Sequence, residues 1–174
     1  TIHNSIVSVL NQSYKNIKLT IIDDKSSDKT NLIIKEIMKN DKRLSFMINK
    51  KNIGTYASKN KALHKYKNNT NFFTFHDSDD WMHPSRIKEH VKFHNANQNC
   101  VMSFSNWLRM SDDDNLQTSM DGGHIIHQNP CSSFFKTHVI NDIGYFDNIR
   151  AGADTEFWQR SVIYYGDANI LNLN

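Results

Sequence analysis

Phe72-Phe73-Thr74-Phe75-His76-Asp77-Ser78-Asp79-Asp80-Trp81 runs a short, aromatic-rich segment straight into three carboxylates. A brief run of aromatic and β-branched residues ended by turn chemistry is a buried strand. The acids at its tip repel one another, and such a cluster is costly unless a cation offsets it. Hard carboxylate oxygens suit Mg²⁺ or Mn²⁺. Magnesium takes one or two protein carboxylates and fills its other positions with water and phosphate. Asp77-Ser78-Asp79 at a strand tip therefore fits a metal that grips a nucleotide diphosphate. An acidic turn that caps the following helix is the competing reading of the same residues.

The pattern recurs upstream, where Leu19-Thr20-Ile21-Ile22 ends at Asp23-Asp24. Ser26-Ser27-Asp28-Lys29-Thr30 is turn and cap chemistry, and apolar spacing predicts a helix over residues 31–39. A strand over 44–48, a loop over 49–54 and a helix over 55–66 follow. Ile6-Val7-Ser8-Val9-Leu10 reads as the end of an earlier helix. Pro84 suits a first helical turn and predicts a helix over 85–93. Residues 101–104 read as a strand, and 111–123 as a polar, mobile loop. An amphipathic helix over 154–165 counts Phe157, Ile163 and Tyr164 among its apolar residues. Strands alternating with helices predict an α/β fold with a mostly parallel central sheet flanked by helices. Ligands bind such sheets outside the carboxyl ends of the strands, so both acidic tips belong to one rim.

The chain has 174 residues with 38% hydrophobic content, enough for one domain with a real core. Mean hydropathy is -0.64, and no apolar run approaches the roughly 20 residues that span a bilayer. The formal charge of +3 comes from lysines spread over the surface, without the focused basic stripe of a nucleic-acid binder. Cys100 and Cys131 have no CxxC spacing, which fits a reducing, cytoplasmic compartment.

Four motifs stand in order. They are Ser8-Val9-Leu10-Asn11-Gln12-Ser13-Tyr14, then Ile21-Ile22-Asp23-Asp24-Lys25-Ser26-Ser27-Asp28, then Asn52-Ile53-Gly54 with Lys59-Asn60-Lys61, then Asp77-Ser78-Asp79-Asp80-Trp81 with Pro84 and Arg86. Together they resemble family 2 glycosyltransferases of the GT-A (Rossmann-like) nucleotide-diphospho-sugar transferase fold, from residue 5 to about residue 165. The resemblance implies transfer, with inversion, from a UDP-sugar to a glycan or lipid-linked acceptor. It also implies Mn²⁺ or Mg²⁺, and work in the cytoplasm, at the inner face of the membrane. By the same resemblance Asp24 reads the uracil ring and Asp23 holds its loop. Asn52, Gly54 and Ser78 approach the nucleotide, Asp79 is the metal ligand and Asp77 supports it. Lys59 stands where the family often has arginine, keeping the charge but losing the bidentate fork. Ala153-Asp154-Thr155-Glu156-Phe157-Trp158-Gln159-Arg160 resembles the family's E-D-x-E segment, which makes Asp154 the general base. Pro130-Cys131-Ser132 borders the sugar and the acceptor in this reading.

The resemblance also divides the single domain into a nucleotide-binding half, about 1–105, and an acceptor and base half, 106–174. The family's first strand would precede residue 6, so the chain is expected to be truncated at its N-terminus. Two other readings stay open. A nucleotidyltransferase would carry a glycine-rich basic phosphate loop, and none is present. A partial domain would bind nucleotide without transfer. His90 and His94 share a helical face, but His90-Val91-Lys92-Phe93-His94 lacks the Glu and third ligand of a zinc helix. Asp112-Asp113-Asp114 lacks the Gly and Glu of a calcium loop.

Overall fold

A computed structural model describes residues 1–111, 113, 115–117, 125–128 and 130–173. Helix α1 (Ile2–Leu10) buries Ile6, Val9 and Leu10, and also two serines, Ser5 and Ser8. Strand β1 (Leu19–Asp23) crosses through α2 (Thr30–Asn40) to β2 (Leu44–Ile48), and the two strands pair in parallel from Leu19↔Leu44 to Asp23↔Ile48. Gly54, at φ +88°, takes a backbone conformation that L side chains avoid and opens α3 (Thr55–Tyr66). Next come β3 (Phe72–Thr74), α4 (Arg86–Ala96) and the long strand β4 (Met102–Met110). Short strands β5 (Leu116–Gln117), β6 (Ile126–Gln128) and β7 (Phe134–Lys136) lead to α5 (His138–Ile143), α6 (Ala153–Tyr165) and β8 (Ile170–Leu173).

The fold is α/β, with sheet layers flanked by helices, but the sheet is mixed where it was expected to be mostly parallel. β4 pairs in parallel with β8, and antiparallel with β5, β6 and β7; β3 pairs antiparallel with β7. After β4 the chain returns by short connections, and short connections allow only antiparallel neighbours. Three other expectations shift. The polar segment 111–123 was expected to be a loop, yet it begins as a hairpin, with Met110 paired to Leu116. Residues 112, 114 and 118–123 of it lie outside the described residues. Helix α4 starts at Arg86, two residues beyond Pro84, with Ser85 at its N-cap and no side-chain cap bond, so Asp80 does not cap it. On α6, Phe157 is buried, but Ile163 and Tyr164 are exposed, at 86% and 60%.

The main core gathers around Phe135 and Phe157, both essentially inaccessible, with ring centroids 5.3 Å apart. Leu63 of α3, Met102 of β4 and Val139 of α5 complete it. A second cluster seats α1 and α2 on β1 and β2 through Ile6, Ile34 and Leu44. A third locks α1 to α4 through Val9, Met82, Ile87 and Phe134. Among the described residues, β1 pairs only with β2 and β3 only with β7. Residues 19–22 and 75–79 line the same cleft.

His90 and His94 do not form a metal site; they share one buried hydroxyl. His90 Nδ1 lies 2.7 Å and His94 Nε2 2.9 Å from Ser103 Oγ, and His94 Nδ1 lies 3.2 Å from the Cys100 carbonyl. A carbonyl only accepts, so His94 Nδ1 carries the proton and its Nε2 accepts from Ser103. Ser103 has one proton to give, so His90 Nδ1 must donate to it. His90 Nε2 is then a bare acceptor without a partner in its buried site. The His90 ring stacks on Phe134, with centroids 4.9 Å apart. Burial, with Arg86 near His90 and Lys136 near His94, pushes the two imidazoles down to about 2 and about 4.

Both are therefore neutral in the fold and titrate near 6.5 when unfolded. A depressed histidine contributes stability that is complete above pH 6.5 and falls as the pH drops toward the folded value. Urea titrations should show stability falling below pH 6.5, by up to about 1.4 kcal/mol per pH unit for each histidine. His94→Gln should flatten that slope; an equally steep slope in the variant would rule out His94 as one of its sources.

Candidate active site

The acidic turn after β3 is set in place by α1. Ser5 Oγ donates to the Asp77 carbonyl at 3.0 Å, and the Met82 amide donates to Ser8 Oγ at 3.0 Å. Gln12, fully buried just past α1, donates to the His83 carbonyl at 2.8 Å and accepts from the Ile87 amide at 3.0 Å. Small serines let the turn approach the helix closely while satisfying backbone groups that burial would otherwise strand.

Arg86 anchors the far side of the turn. Its guanidinium donates to Ser105 Oγ of β4 and Thr74 Oγ1 of β3, each at 3.0 Å, and to the Ser132 carbonyl. Burial lowers it to about 10, still charged at neutral pH. Above it, burial pushes the Asp80 carboxyl up, as do its neighbours Asp77 and Asp79, while Arg86 and Arg109 pull it down.

A cleft of about 460 Å³ opens between β1 and the acidic turn. Apolar Ile6, Val9, Leu19 and Ile21 line it together with polar Asp24, Ser58, Lys59, Asp77, Ser78 and Asp79. That size falls within the usual range for small-molecule pockets. Lys59, from α3, reaches Asp77 Oδ1 at 3.6 Å, with its ammonium 5.1 Å from the Phe75 ring centroid and 5.5 Å from that of Tyr56.

Asp24 is engaged on both oxygens. Oδ1 accepts from Asn49 Nδ2 at 2.8 Å and the Ile53 amide at 2.9 Å, and Oδ2 from the Gly54 amide at 2.7 Å. Burial raises its pKa, but the Ile53 amide, Asn49 and the Gly54 amide outweigh that and hold it low. Asp23 is turned the other way, accepting from the Ser26 amide at 3.1 Å. Asn52 is exposed on the loop. Asn49 went unmarked in the sequence. It is buried at the end of β2, bonded to Asp24 and to Ser58 Oγ, and it accepts from Lys61 at 2.6 Å. A polar residue at a strand end, opposite an acid on the neighbouring strand, was the only signal for it.

Asp154 sits in the first turn of α6 and is 9% exposed. Its Oδ1 accepts from Tyr56 Oη at 2.9 Å and from the Thr155 amide at 2.9 Å, and its Oδ2 from the Cys131 thiol. Burial raises its pKa, but Cys131, Tyr56 and the Thr155 amide outweigh burial and keep it ionised. Tyr56, unmarked in the sequence, lies three residues before Lys59 on the same helix.

Among the described residues, no three His, Cys, Asp or Glu side chains lie close enough to hold a cation. Asp77 and Asp79 fit a cation that takes most of its ligands from phosphate and water.

The model of the family described as "Glycosyl transferase family 2" matches residues 1–152. The chain belongs to glycosyl transferase family 2. It is 37% identical over 106 residues to an uncharacterized glycosyltransferase of Haemophilus influenzae, covering 61% of this chain and 41% of that protein. The crystal structure of Staphylococcus aureus TarS 1-349 superposes with TM-score 0.76 at 21% identity, over 99% of this chain and 53% of that one. The mannosyltransferase PcManGT of Pyrobaculum calidifontis, in complex with GDP-Man and Mn²⁺, superposes with TM-score 0.71 at 16% identity, over 99% of this chain and 50% of that one. These likenesses are to GT-A folds. The chain spans about half the length of each of these two structures.

The Asp24 network makes a prediction about this glycosyltransferase-family loop. Asp24→Ala removes three hydrogen bonds and should destabilise the chain by about 1–3 kcal/mol. Amide exchange at Ile53 and Gly54 should quicken more than in β2; unchanged exchange there would show that another group holds the loop.

Proposed function

We propose that the chain transfers a sugar from a nucleotide-diphosphate sugar, a UDP-sugar, to a hydroxyl of a glycan or lipid-linked acceptor, with inversion at the anomeric carbon. The observation that carries this reading is the buried, ionised Asp154 carboxylate, joined through Tyr56 and α3 to the Lys59–Asp77 pair lining the cleft. Tyr56, which donates to the base, and Lys59, a cationic anchor for a diphosphate, thus lie on adjacent turns of α3.

In this mechanism Asp154 takes the proton from the acceptor hydroxyl as that oxygen attacks the anomeric carbon from the face opposite the diphosphate. The bond to the diphosphate oxygen breaks as the new glycosidic bond forms. Lys59 leaves its pairing with Asp77 to meet the departing phosphate. A Mn²⁺ or Mg²⁺ held at Asp77 and Asp79 supplies further charge neutralisation when bound. Asp24, with Asn52, Gly54 and Ser78 beside it, positions the nucleotide, and Asp23 braces the strand tip. In keeping with this division, residues 1–105 carry the donor side, and 106–174 the acceptor side and the base. Among the described residues no helix is long and apolar enough to cross a membrane. A lipid-linked acceptor would be met at the inner membrane face by peripheral contact.

Thermal melts test the donor half. UDP with Mn²⁺ should raise the melting temperature, and UDP with a chelator should raise it less; equal shifts would remove the metal from the proposal. GDP with Mn²⁺ should stabilise less than UDP. Asp154→Asn should keep the UDP shift and lose transfer in a screen of nucleotide sugars against glycan acceptors. Retained transfer would remove Asp154 as the base, and binding with no transfer by the wild type would favour a nucleotide-binding domain only.

A further inference from the structure

The surroundings of Asp154 are more specialised than a helix N-terminus requires. An aspartate in the first turn is satisfied by backbone amides and by the helix dipole. Asp154 instead receives two side-chain donors from distant parts of the chain, Tyr56 of α3 and Cys131 of the turn Pro130–Ser132. Tyr56 is 8% exposed. A buried tyrosine hydroxyl must find a partner, and here the carboxylate is that partner. Cys131 comes from the segment that Arg86 fastens through the Ser132 carbonyl.

We propose that Tyr56 and Cys131 are positioning residues that clamp the Asp154 carboxylate from two sides and leave one site on Oδ2, beside the Cys131 sulfur, to take the acceptor's proton. This rests on the reading of Asp154 as the base. An ionised carboxylate has about four lone-pair sites. On the donors described, Oδ1 takes two, from Tyr56 and the Thr155 amide, and Oδ2 takes one, from Cys131. The remaining site fixes where an acceptor hydroxyl must approach. The thiol orients Oδ2 and, with Tyr56, lowers the carboxylate's basicity. Tyr56 also meets the Lys59 ammonium through its ring, so the clamp and the diphosphate anchor share one side chain. Charged groups near the clamp among the described residues include Lys59 of α3 and Asp77 of the acidic turn. The thiol itself is pushed up to about 12 by burial and by Asp154, so it stays protonated as a donor.

Carbon-13 NMR of aspartate-labelled protein tests the clamp without any donor or acceptor. Donors to the ionised form lower a carboxyl pKa, so their removal raises it. The Asp154 resonance, assigned by its loss in Asp154→Asn, should titrate about one pH unit higher in Tyr56→Phe and in Cys131→Ala. Cys131→Ser keeps a donor and should restore the wild-type midpoint or lower it. Unmoved midpoints in both Tyr56→Phe and Cys131→Ala would overturn the clamp. A second measurement covers a variant that folds poorly: alkylation of Cys131 by iodoacetamide, followed by peptide mass mapping. Asp154→Asn should bring its pH midpoint down, and an unchanged midpoint counts against the contact. If Asp154→Asn retains transfer while these titrations move as expected, the clamp stands and the assignment of the base falls, so the two failures are distinct.

Discussion

A guanidinium withdrawn from water costs several kcal/mol unless its donors are met. Arg86 meets that demand with oxygens from three separate places: Thr74 on β3, Ser105 on β4 and the carbonyl of Ser132. None of these is a carboxylate, so geometry satisfies the donors, while Asp80 offsets the charge from a greater distance. The acidic turn 77–80, the mixed sheet and the turn bearing Cys131 must therefore keep their relative places. If any one drifts, a half-buried cation loses a partner. The clamp on Asp154 inherits its accuracy from this constraint, because Cys131 is the residue next to Ser132.

The same economy appears along the cleft. Lys59 offsets Asp77, and Asp80, with burial and two acids pushing it up, is offset by Arg86 and Arg109. Asp24 is stabilised by two amides and an asparagine. The rim is acidic in sequence yet largely compensated in space. A cation arriving there enters a site already balanced, where phosphate and water must complete its shell.

Much of this was legible in the sequence. Residues 19–22 and 44–48 are β-branched and apolar runs with sharp polar ends, and they became β1 and β2. The helix over 55–66 matched because Gly54 marks its start. The mixed pairing was not legible. β5, β6 and β7 are two or three residues long, too short for a period to show. Phe134-Phe135, in a strand of three residues, forms the centre of the core because rings from β3, α6 and the loops converge on it. Ile163 and Tyr164 are apolar but exposed, since α6 buries a different side through Ala153, Asp154, Phe157 and Ser161. At the site, clustered acids at strand tips announced themselves. Their partners did not: Asn49, Tyr56 and the thiol of Cys131 acquire meaning only from residues far away along the chain.

Tyr56 and Lys59 lie three residues apart on α3, which sets them about 4.5 Å apart along the helix axis. Tyr56 donates to Asp154 and Lys59 pairs with Asp77. In the proposed mechanism the helix serves as a ruler, gauging the gap between the bond that forms and the bond that breaks. One residue inserted between them would rotate one function by about 100° around the axis relative to the other. Drift in this stretch is then confined to exchanges of side chain, with length held constant, while the hairpin after Met110 is under no such measure.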